Sequence, residues 1–218
     1  MINIFDVDYT VLKHPTAWYF LCEAIAEKVV GITRLRRLPL EWLRYKLGFA
    51  NNSFIEETVK HLAGIEKTIL EKIAETSFNL RMKRDIFSGA AELIRELQVK
   101  GEPVIFATSS ISVLTSPLER FLGITESIAN KLEFAEGKTT GRISGSSSFG
   151  EGKRNAVQTW LAERQISPQD TCFYSDSYTD LPLLEYCGHA IAVNPDRILA
   201  KEAKKRGWKI IHFRQTLA

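Results

Sequence analysis

The stretch Ile2-Asn3-Ile4-Phe5-Asp6-Val7-Asp8-Tyr9-Thr10 begins as a short, largely apolar run and passes directly into two carboxylates spaced by one residue. Strand side chains alternate, so acids two apart at the end of a strand point the same way. Like charges held that close resist joint ionisation unless a cation or a shared proton offsets them. The pair suits divided work: one carboxylate as nucleophile, its neighbour moving protons, and a divalent ion between them and the substrate. Acid pairs are also common on protein surfaces. This one gains meaning from what the rest of the chain places beside it.

From residue 86 onward, helix-like and strand-like segments alternate. A helix over 89–100 precedes an apolar strand over 103–107, and a second helix follows over 113–122. A hairpin-like stretch over 128–144 turns at Glu136-Gly137-Lys138. A helix over 153–164 leads to strands over 171–175 and 190–193, a helix over 197–206 and a last strand over 208–213. Short apolar strands alternating with amphipathic helices predict an α/β fold: a doubly wound parallel sheet covered on both faces. Ligands of such sheets sit beyond the carboxyl ends of the strands. Asp6, Thr108 and Asp176 all fall at or just past those ends.

Residues 13–85 have a different pattern, helical almost throughout, with segments over 16–30, 40–47, 54–62 and 65–78. Ser53 followed by Glu56 matches a capping box opening the third of these. The expected organisation is a catalytic core of residues 1–12 and 86–218, with residues 13–85 inserted as a helical cap over the site. The cap carries 13 Lys and Arg against 9 Asp and Glu, and the remainder 16 against 17, so the basic excess belongs to the insertion. Much of it lies in Arg34, Arg36, Arg37, Arg44 and Lys46, among Leu, Trp and Tyr. That cluster reads either as a solvated helix face or as a surface meeting an anionic substrate or lipid headgroup.

With 218 residues, 44% hydrophobic and 25% charged, the chain can bury a core for one domain plus an insertion. It has no apolar run of membrane-spanning length and no signal-peptide pattern at its start. Cys22, Cys172 and Cys187 are odd in number and lack C-x-x-C spacing, so buried free thiols in a reducing cytoplasm are expected. A net charge of +3 makes no case for a nucleic-acid partner.

Thr108, Ser109 and Ser110 follow the strand at 103–107. Hydroxyls and successive backbone N–H groups before a helix form an anion site, although Ser and Thr there also serve as ordinary caps. Gly150-Glu151-Gly152-Lys153 is not a P-loop, because Ser147 stands at the first glycine position and Arg154 at the Ser/Thr position. Lys153 is either a solvated lysine or a cation neutralising a carboxylate and a phosphoryl oxygen. Tyr174-Ser175-Asp176-Ser177-Tyr178-Thr179-Asp180 places two acids four apart after an apolar strand. Magnesium takes few protein carboxylates and several waters, which such a pair can supply, one directly and one indirectly. His14, His61, His189 and His212 have no metal-ligand spacing, and only His14 lies near the proposed site.

D-x-D-x-T, a hydroxyl-ended strand, a lysine and D-x-x-x-D, in that order at sheet ends, resemble the four-motif signature of haloacid-dehalogenase-superfamily phosphatases. The stretches Leu132-Glu133-Phe134, Gly150-Glu151-Gly152-Lys153, Asp180-Leu181-Pro182-Leu183-Leu184 and Ala192-Val193-Asn194-Pro195-Asp196 resemble the phosphoserine-phosphatase-like subfamily. The resemblance spans nearly the whole chain and implies a Rossmannoid core and a Mg2+-dependent phosphomonoesterase. By motif position it makes Asp6 the nucleophile that forms an aspartyl-phosphate. Asp8 becomes the acid–base residue and, through its carbonyl, a metal ligand. Thr108 becomes the phosphate-binding hydroxyl, with Ser109 beside it. Lys153 steadies nucleophile and phosphoryl group, Asp176 is the metal carboxylate with Asp6, and Asp180 is the accompanying acid behind it.

Two positions depart from the subfamily pattern. Tyr9 stands where a small residue is usual, and Pro15 stands where phosphoserine phosphatases carry the glutamate that reads the substrate amine. The expected substrate is therefore a small phosphorylated metabolite or lipid-headgroup phosphate, with histidinol phosphate and sugar or polyol phosphates among the candidates. A phosphotransferase using an acceptor other than water and a non-catalytic phosphate-binding module are the alternatives. The intact Asp6–Asp8 pair argues against the second, since binding alone needs no nucleophile.

Overall fold

A computed structural model describes residues 1–29 and 52–217, with side chains described at 1–29 and 55–217. The arginine-rich stretch 34–46 and the helix expected over 40–47 lie outside the described residues. Seven strands form one sheet: β1 (Ile2–Phe5), β2 (Val104–Ile111), β3 (Ser127–Ala135), β4 (Lys138–Ser144), β5 (Thr171–Ser175), β6 (His189–Val193) and β7 (Lys209–Ile211). Their spatial order is β4-β3-β2-β1-β5-β6-β7, and every pairing is parallel except that of β3 with β4. The N-terminal strand is thus the central one.

Residue alternation produces this layering. Ile4, Ile105 and Phe173 are buried on one face with Val157, Leu161 and Leu183. Their chain neighbours Phe5, Phe106 and Tyr174 are buried on the other with Ile86, Ala90 and Ile94. Strands enclosed on both faces cannot alternate apolar with polar, which accounts for their continuous apolar runs. The helices covering them are α4 (Ser88–Val99), α5 (Ser112–Leu122), α6 (Glu151–Glu163), α7 (Leu181–Tyr186) and α8 (Arg197–Arg206). In α4 the buried Ala90, Ile94 and Leu97 follow the helical repeat.

Between β1 and β2 lie α1 (Thr16–Ala26), α2 (Asn52–Lys60) and α3 (Lys67–Leu80). The first and last of these differ by a few residues from the expected 16–30 and 65–78. Ser53 falls inside α2 rather than ahead of it, so the helix begins earlier than the expected cap. A third apolar cluster joins Phe20, Ala24, Val59, Leu70 and Ile73 of this segment to Ile111, Leu114, Leu132 and Phe149. The β3–β4 hairpin seats it further, since Gly64 N–H donates to the Thr139 carbonyl and Lys67 N–H to the Gly137 carbonyl, at 2.8 and 3.0 Å. The hairpin itself turns through Glu136 and Gly137, both at positive φ, as two-residue hairpin loops favour. Cys172 and Cys187 are buried free thiols, whereas Cys22 is only half-buried.

Candidate active site

The register of β1 sets the site. Phe5 pairs with Phe106 on one side and Tyr174 on the other, and the Asp6 N–H donates to the Tyr174 carbonyl at 2.9 Å. Asp6 and Asp176 therefore emerge just past the ends of two adjacent strands, within a residue of the level of Thr108 in the neighbouring β2.

Lys153 arrives from the far side of the chain. It occupies the buried stripe of α6, in register with Val157 and Leu161 at spacings of four residues. Helical periodicity thus directs a lysine into the interior, where its side chain is 3% exposed. Its Nζ lies 2.9 Å from Asp6 Oδ1 and 2.8 Å from Asp180. Gly152 makes the approach of α6 possible, because a Cβ there would stand 2.0 Å from the Ser147 carbonyl oxygen. Asp180 precedes α7 but caps nothing with its side chain. It accepts from Ser175 Oγ at 2.7 Å instead.

Asp8 has neutral partners. Its Oδ1 accepts from the Thr16 N–H at 2.9 Å and its Oδ2 from the Ser110 hydroxyl at 3.0 Å. The Thr16 and Ser110 hydroxyls also bond each other. Two acids two residues apart thus sit in unlike surroundings, one against an ammonium and the other among hydroxyl and amide donors.

The strand expected to end at Ala107 continues to Ile111 as a bulge. Ala107 pairs with Ile128 and Ile111 with Asn130, so Thr108, Ser109 and Ser110 face the single residue Ala129. Bulges re-aim side chains beside functional sites. Here the bulge turns the Thr108 hydroxyl to accept the Ser110 N–H at 3.1 Å and sends the Ser110 hydroxyl to Asp8. These residues are not caps at the start of α5, which begins at Ser112.

Several contributors escape a reading of the motifs. Ser110 and Thr16 hold Asp8, and Ser175 holds Asp180. Asp196 donates its N–H to the Asp176 carbonyl and accepts the Tyr178 N–H, each at 2.8 Å, while capping α8. An acid just ahead of a helical pattern signals the cap, but not the contact to the Asp176 loop. His14 lies in an aromatic group with Trp18 and Tyr19, ring centroids 5.0 and 6.1 Å away. Tyr9 has φ of 61°, in the left-handed region that favours Gly or Asn, which explains why a small residue is usual there.

The electrostatics leave the site short of positive charge. Burial pushes Asp6 up to about 7 against the pull of Lys153, and the charges of Asp180 and Asp8 add to the rise. Burial also raises Asp176 well above the ordinary carboxylate range, reinforced by Asp6 and Asp180. Among the described residues no three His, Cys, Asp or Glu side chains gather as a ligand set. The carboxylates of buried Asp6 and partly buried Asp176, near enough for each charge to act on the other, are nevertheless hard oxygen donors of the kind magnesium accepts together with waters. The donor set fits that ion.

Comparison with known proteins identifies the family. The haloacid dehalogenase-like hydrolase family model matches residues 4–185. Phosphoserine phosphatase SerB1 of Mycobacterium tuberculosis is 34% identical over 215 residues, covering 96% of this chain and 70% of the relative. Histidinol-phosphatase of Neisseria meningitidis is 39% identical over 126 residues, covering 56% of this chain and 57% of the relative. A crystal structure of a Bordetella pertussis protein of unknown function superposes with a TM-score of 0.86 at 30% identity, covering 96% of this chain and 97% of that one. The chain belongs to the haloacid dehalogenase-like hydrolase family, on its phosphoserine-phosphatase-like branch. It is a phosphatase.

Proposed function

We propose that the protein hydrolyses a small organic phosphate monoester in two steps on Asp6. An Asp6 carboxylate oxygen attacks phosphorus, the bond from phosphorus to the ester oxygen breaks, and Asp8 donates its proton to the departing oxygen. Water then attacks the aspartyl-phosphate, Asp8 takes the water proton, and the bond to Asp6 breaks to release phosphate. The reading rests on the unlike surroundings of the two acids. Asp6 lies 2.9 Å from an ammonium, whose charge opposes the upward push that burial gives its carboxyl. Asp8 instead meets the Thr16 N–H and the Ser110 hydroxyl, groups that leave it able to exchange a proton with the departing oxygen and with water, and burial raises it from its ordinary value.

Asp6, Asp176 and the Asp8 carbonyl would hold magnesium, which when bound supplies neutralisation of charge on the transferring group. Thr108, the neighbouring Ser109 and Lys153 would bind the phosphoryl oxygens, and Asp180 would hold Lys153 in place. Phosphoryl transfer draws most of its acceleration from such positioning and charge neutralisation. Residues 13–85, as a cap, would select the leaving group.

Selection is proposed to run against phosphoserine. Pro15 offers no charge to an amine. Glu23, a buried acid of α1, is already paired with Arg81 Nε at 2.7 Å. The two relatives named above carry different substrates in their names, so the family alone leaves the leaving group open. The test is phosphate release from p-nitrophenyl phosphate by wild type and Asp6→Asn, with beryllium fluoride offered as a phosphoryl mimic. Turnover and fluoride adduct should both vanish in the variant. An Asp6→Asn enzyme working near the wild-type rate would overturn the mechanism.

A further inference from the structure

The geometry points to Asn130 as a positioning residue that locks the phosphate-binding bulge of β2 to the loop leading into α6, the helix that carries Lys153; this rests on the phosphatase reading above. Thr108–Ser110 and Lys153 come from segments separated by the whole β3–β4 hairpin, yet both must address one phosphoryl group. The bulge makes their mutual placement a problem. Three residues of β2 face one of β3, so the Ser109 carbonyl lacks a register partner in the ladder.

Asn130, 2% exposed, supplies that partner. Its Nδ2 donates to the Ser109 carbonyl at 2.6 Å, and its Oδ1 accepts the Ser148 N–H at 2.7 Å. Ser148 lies two residues before Gly150, after which α6 begins and delivers Lys153. One amide thereby bridges both halves of the anion site. Among side chains of this size only an amide donates from one atom and accepts at its neighbour. An aspartate would set a carboxylate against the Ser109 carbonyl, and a leucine would leave two buried backbone groups unsatisfied. Displacements of about 1 Å in such supports cost on the order of 100-fold in rate.

The experiment compares wild type with Asn130→Asp, and with Asn130→Ser, which fills less space and allows water to bridge. Inorganic phosphate affinity, magnesium affinity, kcat and KM with p-nitrophenyl phosphate, and Tm are measured for each. Asn130 touches neither Asp6 nor Asp176, so a positioning role predicts phosphate binding weakened about 10- to 100-fold with KM raised in step. Magnesium affinity should stay within about twofold, and Asn130→Ser should fall between wild type and Asn130→Asp. Unchanged phosphate binding in the folded serine variant would overturn the inference. So would equal losses of phosphate and magnesium affinity, the mark of general loosening. An inactive wild type that binds phosphate would instead strike the proposed function and leave the Asn130 comparison readable.

Discussion

Asp8 caps the first helix of the segment between β1 and β2: its Oδ1 accepts the backbone N–H of Thr16 at 2.9 Å, where Pro15 provides no side-chain cap. A carboxylate at a helix N-terminus satisfies an orphan donor and meets the positive end of the helix dipole. The proposed acid–base residue is therefore also a structural link between the core and α1.

The two duties of Asp8 should separate by substitution. Asp8→Asn keeps an oxygen acceptor for Thr16 and should hold Tm near wild type while turnover falls by about 100-fold or more. Asp8→Ala should lose turnover similarly and also about 1 kcal/mol of capping. For a chain of this length that is a Tm drop of about 2–4 °C. Thermal denaturation with a kinetic assay decides it, and equal Tm values for the two variants would remove the capping role.

Lys153 sits between Asp6 and Asp180, at 2.9 and 2.8 Å, with almost no exposure. Lys153→Met removes one partner of a buried pair, which costs about 3–5 kcal/mol. Denaturant unfolding at pH 8 without magnesium should show that loss. Adding Asp180→Asn should recover part of it, because one unpaired carboxylate then disappears. A single variant as stable as wild type would mean that water already screens the pair.

Proton linkage gives a third expectation. Asp6 is raised to about 7, so the folded state binds its proton more tightly than the unfolded chain does. The stability this supplies is complete below the ordinary carboxylate value near 4 and is lost as pH rises through about 7. Metal-free protein should therefore lose Tm between pH 5 and 8. Magnesium should restore more of it at pH 8 than at pH 5.5, since protons and metal compete for the same carboxylates. A magnesium-induced shift independent of pH would contradict this coupling.

Substrate choice gives the fourth. Reading an amine needs a desolvated anionic partner, whose removal costs about 2–5 kcal/mol. That corresponds to roughly thirty- to several-thousand-fold in kcat/KM. In a panel of phosphorylated metabolites, L-phosphoserine should be turned over less efficiently than at least one ester lacking an amino group. A preference for phosphoserine would show that another acid reads the amine, and would leave the roles proposed for Asp6 and Asp8 untouched.

Much of the architecture was legible in the chain. Continuous apolar runs over 103–107 and 171–175 announced strands buried on both faces, and their pairing with β1 follows that pattern. Lys153 at helical spacing from Val157 and Leu161 carried its own hint of burial. The end of β2 was not legible. Val-Ile-Phe-Ala is a strand by composition, whereas Thr-Ser-Ser favours a turn or cap. The strand is prolonged by pairing with β3 at Ile111, a tertiary contact that local preference does not contain.

The sequence by itself determined the strand–helix alternation, the order of the motifs and the type of chemistry their side chains can perform, because these depend on residue pattern and identity. Only the tertiary structure decided which partner each charged group meets. Asp6 and Asp8 look equivalent as a D-x-D pair, yet one meets an ammonium 147 residues away and the other an amide eight residues on. Glu23 of α1 is paired with Arg81, 58 residues later. Tyr9 stood out as a large residue at a usually small position, and its left-handed backbone supplies the physical reason for that preference. Charge, burial and backbone strain are set by neighbours brought together across the sheet, and no window of local sequence carries that distance.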